Sequence, residues 1–484
     1  MNRKWWTLAA VVAGVFMLVL DITIVNVALP AIGHSFHSSL TGLQWIIDAY
    51  ALVLAAGLLT AGSLSDLWGR RRLYAIGTAL FTLGSLLCGV ATSPEFLIVA
   101  RIVQGLGGTV VYATSLALIS HAFRGSAPKE RGAAFGVYGA VLGLGAALGP
   151  VLGGFLTSGL SWRWIFFINI PVGIATIAMT LLTVQESRDP EGARLDWRGL
   201  VTFTGGLGLL IYGLISSADG WSRPKVYGTL IGSAVLLAAF LVAEVAERRP
   251  MLDLALFRKP TFTGGLLAAF GLNASIYSVF TYLVLYLQQE LGYSAAQTGL
   301  RFLALTAPMF VSSTLAGRLT HAVPTRLMIG TGFVIVGAGM WLMHGVSATS
   351  AWTHLLPGMI VAGVGIGMVT VPLASTAVGV VPVARAGMAS GINITSRQVG
   401  LATGIAVLGS IFTARRGVGP GGYAAALNDI LVIGVAVALV SAVFSYALIR
   451  HRDFVQPPQP ASSPPASPPQ DGGLKSAVSN EQSR

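Results

Sequence analysis

The chain has 484 residues, of which 54% are hydrophobic and only 10% are charged, and its mean hydropathy is +0.75. Soluble proteins carry about 25% charged residues, so this composition excludes a water-facing surface over most of the chain, which must lie in lipid. The net charge of +12 does not indicate nucleic-acid binding, because Lys and Arg lie between apolar segments, and the single Cys88 excludes a disulfide framework, a cysteine zinc site and an iron–sulfur cluster.

Apolar segments of about 20 residues, the length that crosses a bilayer as a helix, recur along the whole chain. The first begins after Arg3 and Lys4 and continues to about Leu29. Because it is too long for the apolar part of a cleaved secretory signal, we expect it to remain as the first span. An all-α membrane protein of fourteen spans is predicted, at 6–29, 43–63, 73–92, 97–120, 132–157, 164–184, 199–217, 227–246, 261–287, 296–317, 327–343, 355–378, 386–413 and 429–449.

Basic residues indicate the orientation of these spans, because Lys and Arg accumulate in the cytoplasmic connections of membrane proteins. Most of the 30 Lys and Arg residues lie at the two chain ends and in every second connection. The alternate connections contain only Arg163, Arg223, Lys225, Arg415 and Arg416. We therefore predict a multi-pass protein of the inner (cytoplasmic) membrane with both termini in the cytoplasm.

A weak internal repeat divides the chain into two halves. Gly62 ends the second span and Gly317 the tenth, while Gly132 opens the fifth span and Gly387 the thirteenth, so both pairs share one offset of 255 residues (62 to 317 and 132 to 387). Duplicated halves are typical of secondary transporters. We predict six-helix bundles over 1–190 and 251–452, two inserted spans over 191–250, and a disordered Pro/Ser-rich tail over 453–484.

Charged residues inside the predicted spans are costly unless each has a partner or a task. Burial and a neighbouring cation have opposite effects on the proton affinity of a carboxylate, so Asp21 near Arg101 fits a group that binds and releases a proton. A static ion pair that fixes helix packing is the alternative. Asp48 lies close to the outer end of its span and is either a second proton-coupling acid or a hydrated one. Arg301 and Arg397 receive no role from the sequence.

The connection between the second and third spans, residues 62–72, combines an acid and a glycine with three arginines. It could be an orientation signal only, but acids contribute little to orientation, which leaves Asp66 unexplained. An acid here could cap the N-terminus of a helix from the other half, because the helix dipole favours negative charge there. That contact would close the cytoplasmic side. The candidate gating residues are Gly62, Asp66, Gly69, Arg70 and Arg71.

The fifth span has a row of small residues followed by a proline. Repeated glycines leave a bare helix face for close packing, and a proline inside a helix kinks it. Generic helix packing would explain the glycines but explains the Gly149-Pro150 pair less well. The candidate residues of this motif are Gly143, Gly149, Pro150, Gly153 and Gly154.

Seven stretches of the sequence, in chain order, resemble signatures of the major facilitator superfamily, in particular its fourteen-helix drug:proton antiporter branch. They are residues 20–30, 62–72, 101–105, 149–154, 162–171, 250–254 and 286–288. The loop departs from the family pattern at Leu67, where an arginine is usual. The resemblance implies alternating access with the cargo between the halves, and export rather than uptake. It also implies proton coupling through Asp21 and Arg101 and gating by Asp66 and Arg70.

The resemblance also bears on the cargo, because some members of the branch use an acid in the tenth span to accept divalent cations. Residues 296–317 contain no Asp or Glu, so neutral lipophilic or monovalent cationic drugs and antibiotics are expected. Aromatic rings and one amide are candidate cavity residues, for which ordinary helix packing or interface belts are the alternative. They are Trp45, Tyr50, Tyr112, Tyr138, Asn273 and Tyr282.

Other functional classes find little support in the sequence. The seven His residues are scattered and no hydrolase or metalloprotease motif occurs, so the protein is not expected to be an enzyme. No phosphate-binding loop is present, which excludes ATP as the energy source. We expect a monomer that works with protons in the lipid bilayer, without a metal, a cofactor or nucleic acid. The alternative is a proton- or sodium-coupled transporter of a specific metabolite or siderophore.

Overall fold

The computed structural model describes residues 3–124, 126–188, 196–217, 220, 223–246, 254–319, 323–381, 386–416 and 421–454, with most of their side chains. The predicted tail lies outside the described residues, except for its first two positions. Fourteen of the described helices are long and apolar enough to cross a membrane, and the described residues form no strand. The predicted all-α membrane fold is therefore confirmed.

The spans are named α1 to α14 in chain order. Because fourteen is an even number, both described chain ends lie at one face of the bundle, the terminal face, and the opposite face is the distal face. The bounds are α1 Arg3–Phe36, α2 Leu40–Trp68, α3 Arg70–Gly89, α4 Pro94–Ala122, α5 Pro128–Gly159, α6 Trp164–Thr183, α7 Trp197–Ser216, α8 Pro224–Ala246, α9 Pro260–Glu290, α10 Ala295–Leu319, α11 Thr325–Met343, α12 Leu356–Gly379, α13 Ala386–Arg416 and α14 Gly422–Leu448. Short 3-10 turns occur at Leu254–Arg258, Trp352–His354 and His451–Asp453.

Polar residues and a glycine define where several spans begin and end. Ser39 and Ser93 accept hydrogen bonds from the N–H groups of Gly42 (3.2 Å) and Phe96 (3.1 Å), so they cap the first turns of α2 and α4. Gly69 has a φ of 103°, a conformation that side chains rarely adopt, and it separates α2 from α3. As a result α2 exceeds its predicted limits at both ends, because these residues, and not the end of the apolar run, terminate the helix.

The span α9 is less regular than its neighbours. Its α-helical segments Pro260–Leu272 and Ser278–Leu285 are followed by π-helical turns at Asn273–Tyr277 and Tyr286–Glu290. Such turns widen a helix by one residue and occur frequently at functional sites. The first of them lies near the middle of the span, so it places an irregular backbone at the depth where a cargo site is expected.

Close contacts between small residues recur in the two halves. Gly84 of α3 packs against the backbone of Gln104 in α4, and a Cβ at this glycine would lie 2.5 Å from the Gln104 Cα. Gly339 of α11 packs in the same way against the backbone of Ala362 in α12. These two glycines are again 255 residues apart (84 to 339). This recurrence supports two related halves, each with a glycine-mediated helix crossing.

The inserted spans α7 and α8 pack against each other, partly through Phe203 and Phe240, whose ring centres are 5.0 Å apart. α8 exposes large apolar side chains, as expected for a helix surrounded by lipid; Val242 and Val245 are examples. α7 contacts α2 and α13 in an apolar cluster, whose members are Trp45, Leu52, Ile211, Leu214, Ile215, Ala402 and Ala406. The inserted pair therefore lies against the side of the bundle where the halves meet.

The two halves are packed together at the distal face, as α5 and α10 show. Gly154 of α5 lies tightly against the backbone of Ala295, and Gly299 of α10 lies tightly against the carbonyl of Pro150. Hydrogen bonds add to this contact, because Thr281 donates to Asn26 Oδ1 (2.9 Å), Gln288 Nε2 to the Val27 carbonyl (2.9 Å) and the Ala296 N–H to Ser158 Oγ (2.9 Å).

Toward the terminal face α5 and α10 diverge. A Cβ at Gly143, about three helical turns from Gly154, would lie 3.7 Å from the Phe310 ring of α10. One and two further turns on, at Gly139 and Gly136, no atom of the described residues lies within 4 Å of the position that a Cβ would take. These glycines lie on the helix face that contacts α10 at the distal end, so the halves separate as the terminal face is approached.

Candidate transport site

Asp21 of α1 and Arg101 of α4 form an ion pair in the membrane interior, and neither residue is more than 1% exposed. The Asp21 oxygen Oδ2 accepts a hydrogen bond from Arg101 Nη1. The other oxygen, Oδ1, accepts from Gln104 Nε2 (2.8 Å) and from Asn169 Nδ2 (3.2 Å). The charge of this carboxylate is therefore compensated where it is buried, which is the condition for an ion pair to exist away from water.

Two amide side chains that sequence reasoning did not single out complete this cluster. Gln104 of α4 and Asn169 of α6 both donate to Asp21, and both also donate to Ser85 Oγ of α3, at 2.8 Å and 3.3 Å. The cluster thus links four helices of the first half. Both residues lie inside stretches that carry the family resemblance, at 101–105 and 162–171, but an uncharged amide gave no reason to select it.

Arg101 also connects the cluster to α2. Its Nε donates to the carbonyl of Ile46 (3.1 Å), and its guanidinium carbon lies 4.1 Å from the centre of the Tyr50 ring. Tyr50, predicted as a cavity residue, is 2% exposed and packs against this cation. The two predicted proton-coupling residues Asp21 and Arg101 are therefore in contact with each other and are tied to the helix that carries Asp48.

Asp48 of α2 is fully buried, and neither of its carboxylate oxygens has a hydrogen-bond partner among the described residues. One turn earlier on α2, Gln44 Nε2 donates to the Ile405 carbonyl of α13 (3.1 Å) and to Tyr282 Oη of α9 (3.2 Å). Asp48 is close enough to Tyr282 to influence it electrostatically. A buried charge without a partner is strongly unfavourable, so this carboxylate is suited to carry a proton in the conformation described.

An acid from outside the gating loop lies at the N-terminus of α3. Glu186, which follows α6, accepts the N–H groups of Arg71 (3.0 Å) and Arg72 (3.3 Å) in the first turn of α3. The Arg70 N–H donates to the Ser187 carbonyl (3.0 Å). The side chain of Asp66 lies outside the described residues, so its predicted role stays a prediction.

The glycines of α5 face two different partners. Gly149 lies against Thr23, and Gly153 against Ile24, both of α1, whereas Gly154 faces α10. Space for a side chain is therefore absent at the distal end of α5 on both sides. Gly154 and Pro150, whose carbonyl contacts α10, form the place where the halves meet, whereas Gly149 and Gly153 hold α5 close to α1 within the first half. Gly143 marks the position at which α5 and α10 begin to diverge.

The remaining candidate cavity residues lie in different environments. Trp45 contacts Tyr212 of the inserted span α7, with ring centres 5.6 Å apart, and Tyr282 is fully buried and donates to the Ile405 carbonyl (2.5 Å). Tyr112 of α4 is partly exposed. Tyr138 of α5 is within hydrogen-bonding distance of Ser115 Oγ (3.1 Å), and Asn273 donates to the Ala269 carbonyl (3.0 Å) at the first π-turn of α9. Trp45, Tyr112 and Asn273 are thus the members that retain partial exposure.

Arg301 of α10 has its partners near the distal face, where α10 begins. Its Nη1 donates to the Gln297 carbonyl (2.9 Å), and its guanidinium carbon lies 3.6 Å from the ring centre of Tyr293 and 5.0 Å from that of Trp352. Tyr293 lies in the connection before α10, so the long side chain extends toward the membrane surface. Among the described residues no group of three or more His, Cys, Asp or Glu could hold a metal ion.

Comparisons with known proteins agree with this architecture. The family model of the Major Facilitator Superfamily matches residues 11–405. The multidrug resistance protein Stp of Mycobacterium tuberculosis is 38% identical over 416 residues, which cover 86% of this chain and 77% of that protein. The puromycin resistance protein pur8 of Streptomyces alboniger is 35% identical over 469 residues, with 93% and 92% covered.

Among solved structures, a bacterial homologue of the human lysosomal transporter Spinster superposes with a TM-score of 0.63 at 17% identity, over 94% of this chain and 99% of that chain. This likeness shows the shared fold. The family match extends over nearly the whole chain and includes the Asp21–Arg101 cluster, and transporters, not enzymes, are the relatives found. The chain is therefore a multi-pass membrane transporter that belongs to the major facilitator superfamily.

Proposed function

We propose that the chain exports small lipophilic molecules, antibiotics among them, in exchange for protons. The observation that carries this proposal is the buried pair of Asp21 and Arg101, because a carboxylate whose cation partner can be withdrawn is able to take up a proton and later release it. The names of the relatives, which refer to resistance to several drugs and to puromycin, support drugs as the cargo.

Arg101 connects the proton site to the interface between the halves. Its Nε contacts the carbonyl of Ile46, two residues before Asp48, and α2 is bonded to α13 through Gln44 and through the hydrogen bond from Thr395 Oγ1 to the Ala55 carbonyl (2.9 Å). When α13 moves against α2 in the transport cycle, the Ile46 carbonyl moves and the guanidinium moves with it. Asp21 then loses its cation and binds a proton.

The conformation described is one end of this cycle. We place the terminal face in the cytoplasm of a cell with an inner membrane, so the halves are open to the cytoplasm and closed at the distal face. The halves are residues 1–190 and 251–452, with the inserted spans between them, and the chain acts as a monomer. Loop 62–72 closes the terminal face in the opposite conformation, and cargo then leaves through the opened distal contact of α5 and α10.

Protons supply enough energy for such a cycle. Each proton that enters gains about 2.3 kcal/mol per 100 mV of membrane potential and about 1.4 kcal/mol per pH unit. Since about 1.4 kcal/mol corresponds to a tenfold concentration ratio, one proton sustains a gradient of more than tenfold for a neutral cargo. A monovalent cation exchanged one for one cancels the potential and is driven by the pH difference alone.

A resistance assay tests this proposal. An efflux-deficient host that expresses the wild-type chain is challenged with a panel of antibiotics that includes puromycin, and compared with hosts that express Asp21→Asn. Asparagine keeps the size of the side chain but cannot exchange a proton, so we expect the resistance to be lost while the protein still reaches the membrane.

The matched control is Asp429→Asn, because Asp429 is a half-exposed acid that pairs with Arg415 (2.9 Å) at the distal end of α14. This variant is expected to give wild-type resistance. Equal resistance from Asp21→Asn and the wild type, at equal membrane levels, would refute the assignment of Asp21.

A further inference from the structure

Arg397 of α13 lies inside the membrane. None of the described carboxylates forms an ion pair with it, and its Nε and Nη2 atoms are buried without a hydrogen-bond acceptor. The side chain as a whole is partly exposed, so a ligand can reach the guanidinium. Arg101, the other arginine deep in the bundle, has three acceptors on its nitrogens, which shows what Arg397 lacks.

A second donor without an acceptor lies one helical turn earlier. Asn393 is 4% exposed, and its Nδ2 has no hydrogen-bond partner among the described residues. Residues four apart lie on the same face of an α-helix, so Asn393 and Arg397 present their N–H groups in the same direction. Buried donors without acceptors are unfavourable, and an acceptor that arrives with a ligand would remove this cost.

The direction of this face follows from its neighbours on α13. Thr395 bonds to α2, and Ser396 donates to the Leu266 carbonyl of α9 (2.8 Å), so both flanking directions are occupied by helices. Arg397 is close enough to Tyr277 of α9 and Tyr112 of α4 to influence both hydroxyl groups electrostatically. Since α13 contacts α2 and α4 of the first half, the partly exposed Arg397 lies at the space between the halves.

We propose that Arg397 and Asn393 bind an acidic oxygen of the cargo, a carboxylate or an ionised phenol, while Tyr112 and Tyr277 contact its lipophilic body. A guanidinium binds a carboxylate through two parallel N–H···O bonds, and its free Nε and Nη2 are one such pair of donors. This inference rests on the proposed export function and names a substrate class for the same cavity.

The charges of the second half favour an anion over a cation. The acids described there lie at the ends of spans, at Glu290, Asp429 and Asp453, and α10 has none. A cationic cargo next to Arg397 would therefore meet repulsion without a compensating carboxylate from α9 to α14 at that depth. On sequence grounds, the absence of an acid from α10 argues against divalent cations as cargo. Next to Arg397, the same absence also favours lipophilic anions over cations.

Binding of two dyes tests the inference. Fluorescein and rhodamine 123 share a xanthene ring system but are anionic and cationic, respectively, at neutral pH. Their binding to the purified full-length chain is followed by fluorescence polarisation for the wild type, Arg397→Gln, Arg397→Lys and Arg301→Gln. Arg301→Gln is the matched control, because Arg301 already has a carbonyl acceptor and aromatic partners at the distal interface.

We expect Arg397→Gln to weaken fluorescein binding by about tenfold or more, whereas rhodamine 123 binding stays the same or becomes stronger because a repulsive charge is removed, which also shows that the variant is folded. Arg397→Lys keeps the charge but loses the planar guanidinium, so its affinity for fluorescein should lie between those of the wild type and Arg397→Gln. A wild type that fails to bind fluorescein, or an Arg397→Gln variant that affects both dyes equally, would overturn the inference. Failure of the proposed export function is a separate result, since it would appear as resistance that does not depend on Asp21.

Discussion

Asp21 and Asp48 are both carboxylates buried in membrane helices of the first half, yet their surroundings are opposite. Asp21 accepts hydrogen bonds from Arg101, Gln104 and Asn169, whereas both oxygens of Asp48 lack a partner in the part of the chain that the structure describes. The compensated acid lies within one half, and the uncompensated acid is near Tyr282, where α2 meets the second half. The charge of Asp21 is therefore compensated in the conformation described, whereas a charged Asp48 would require a rearrangement of the interface.

The largest expected effect comes from removing the cation. Arg101→Ala leaves Asp21 without its ion-pair partner and removes the bond to the Ile46 carbonyl and the contact with Tyr50. Breaking one side of a buried pair costs about 3–5 kcal/mol, so we expect a clear loss of thermal stability in detergent and loss of export. If Arg101→Ala has the melting temperature of the wild type, the charge of Asp21 is not compensated by Arg101, and the contrast with Asp48 is wrong.

An intermediate effect is expected from one of the amides. Asn169→Ala removes a single donor to the Asp21 carboxylate and one to Ser85, and a hydrogen bond to a charged group contributes about 1.5–3 kcal/mol. Stability measured by thermal unfolding should fall by that amount, and resistance should decrease without disappearing, since Arg101 and Gln104 remain. A change as large as that of Arg101→Ala would mean that Asn169, and not the cation, dominates the compensation.

The smallest effect on stability is expected at Asp48. Asp48→Asn removes a carboxylate that has no partner among the described residues, so no native hydrogen bond is lost and the free energy of unfolding should stay within about 1 kcal/mol of the wild type or rise. Coupled export should nevertheless decrease if this acid carries a proton. A loss of stability comparable to that of Asn169→Ala would reveal a partner for Asp48 and end the contrast between the two acids.

Sequence reasoning identified the spans and the charged members of the site, because apolar length and intramembrane charge are strong physical signals. Asp21, Asp48 and Arg101 were selected for the cost of their burial, and the structure brings Asp21 and Arg101 into contact. Gln104 and Asn169 were missed, since an amide inside a span carries no charge. Their role depends on which helices are neighbours, which a single sequence does not reveal.

The surroundings of the gating loop and of Arg397 also depend on helix packing that a single sequence does not reveal. The cap that Asp66 is predicted to form on a helix of the other half stays a prediction, and the chain after α6 supplies a different acid, Glu186, to the N-terminus of α3 in the first half. The charge of Arg397 is visible in the sequence. That its Nε and Nη2 have no acceptor among the described residues, and that it lies near Tyr112, depends on the packing of α13 between α2 and α9.

Proton movement recorded together with cargo movement tests the role of Asp21 most directly. Purified chain in proteoliposomes that contain a pH-sensitive dye is given an exported antibiotic, with sodium absent or present, and the wild type is compared with Asp21→Asn. We predict that cargo drives proton flux through the wild type, independent of sodium, and that the variant shows no coupled proton flux. Full-speed cargo movement by Asp21→Asn, or cargo movement by the wild type without any proton flux, would contradict the proposed mechanism.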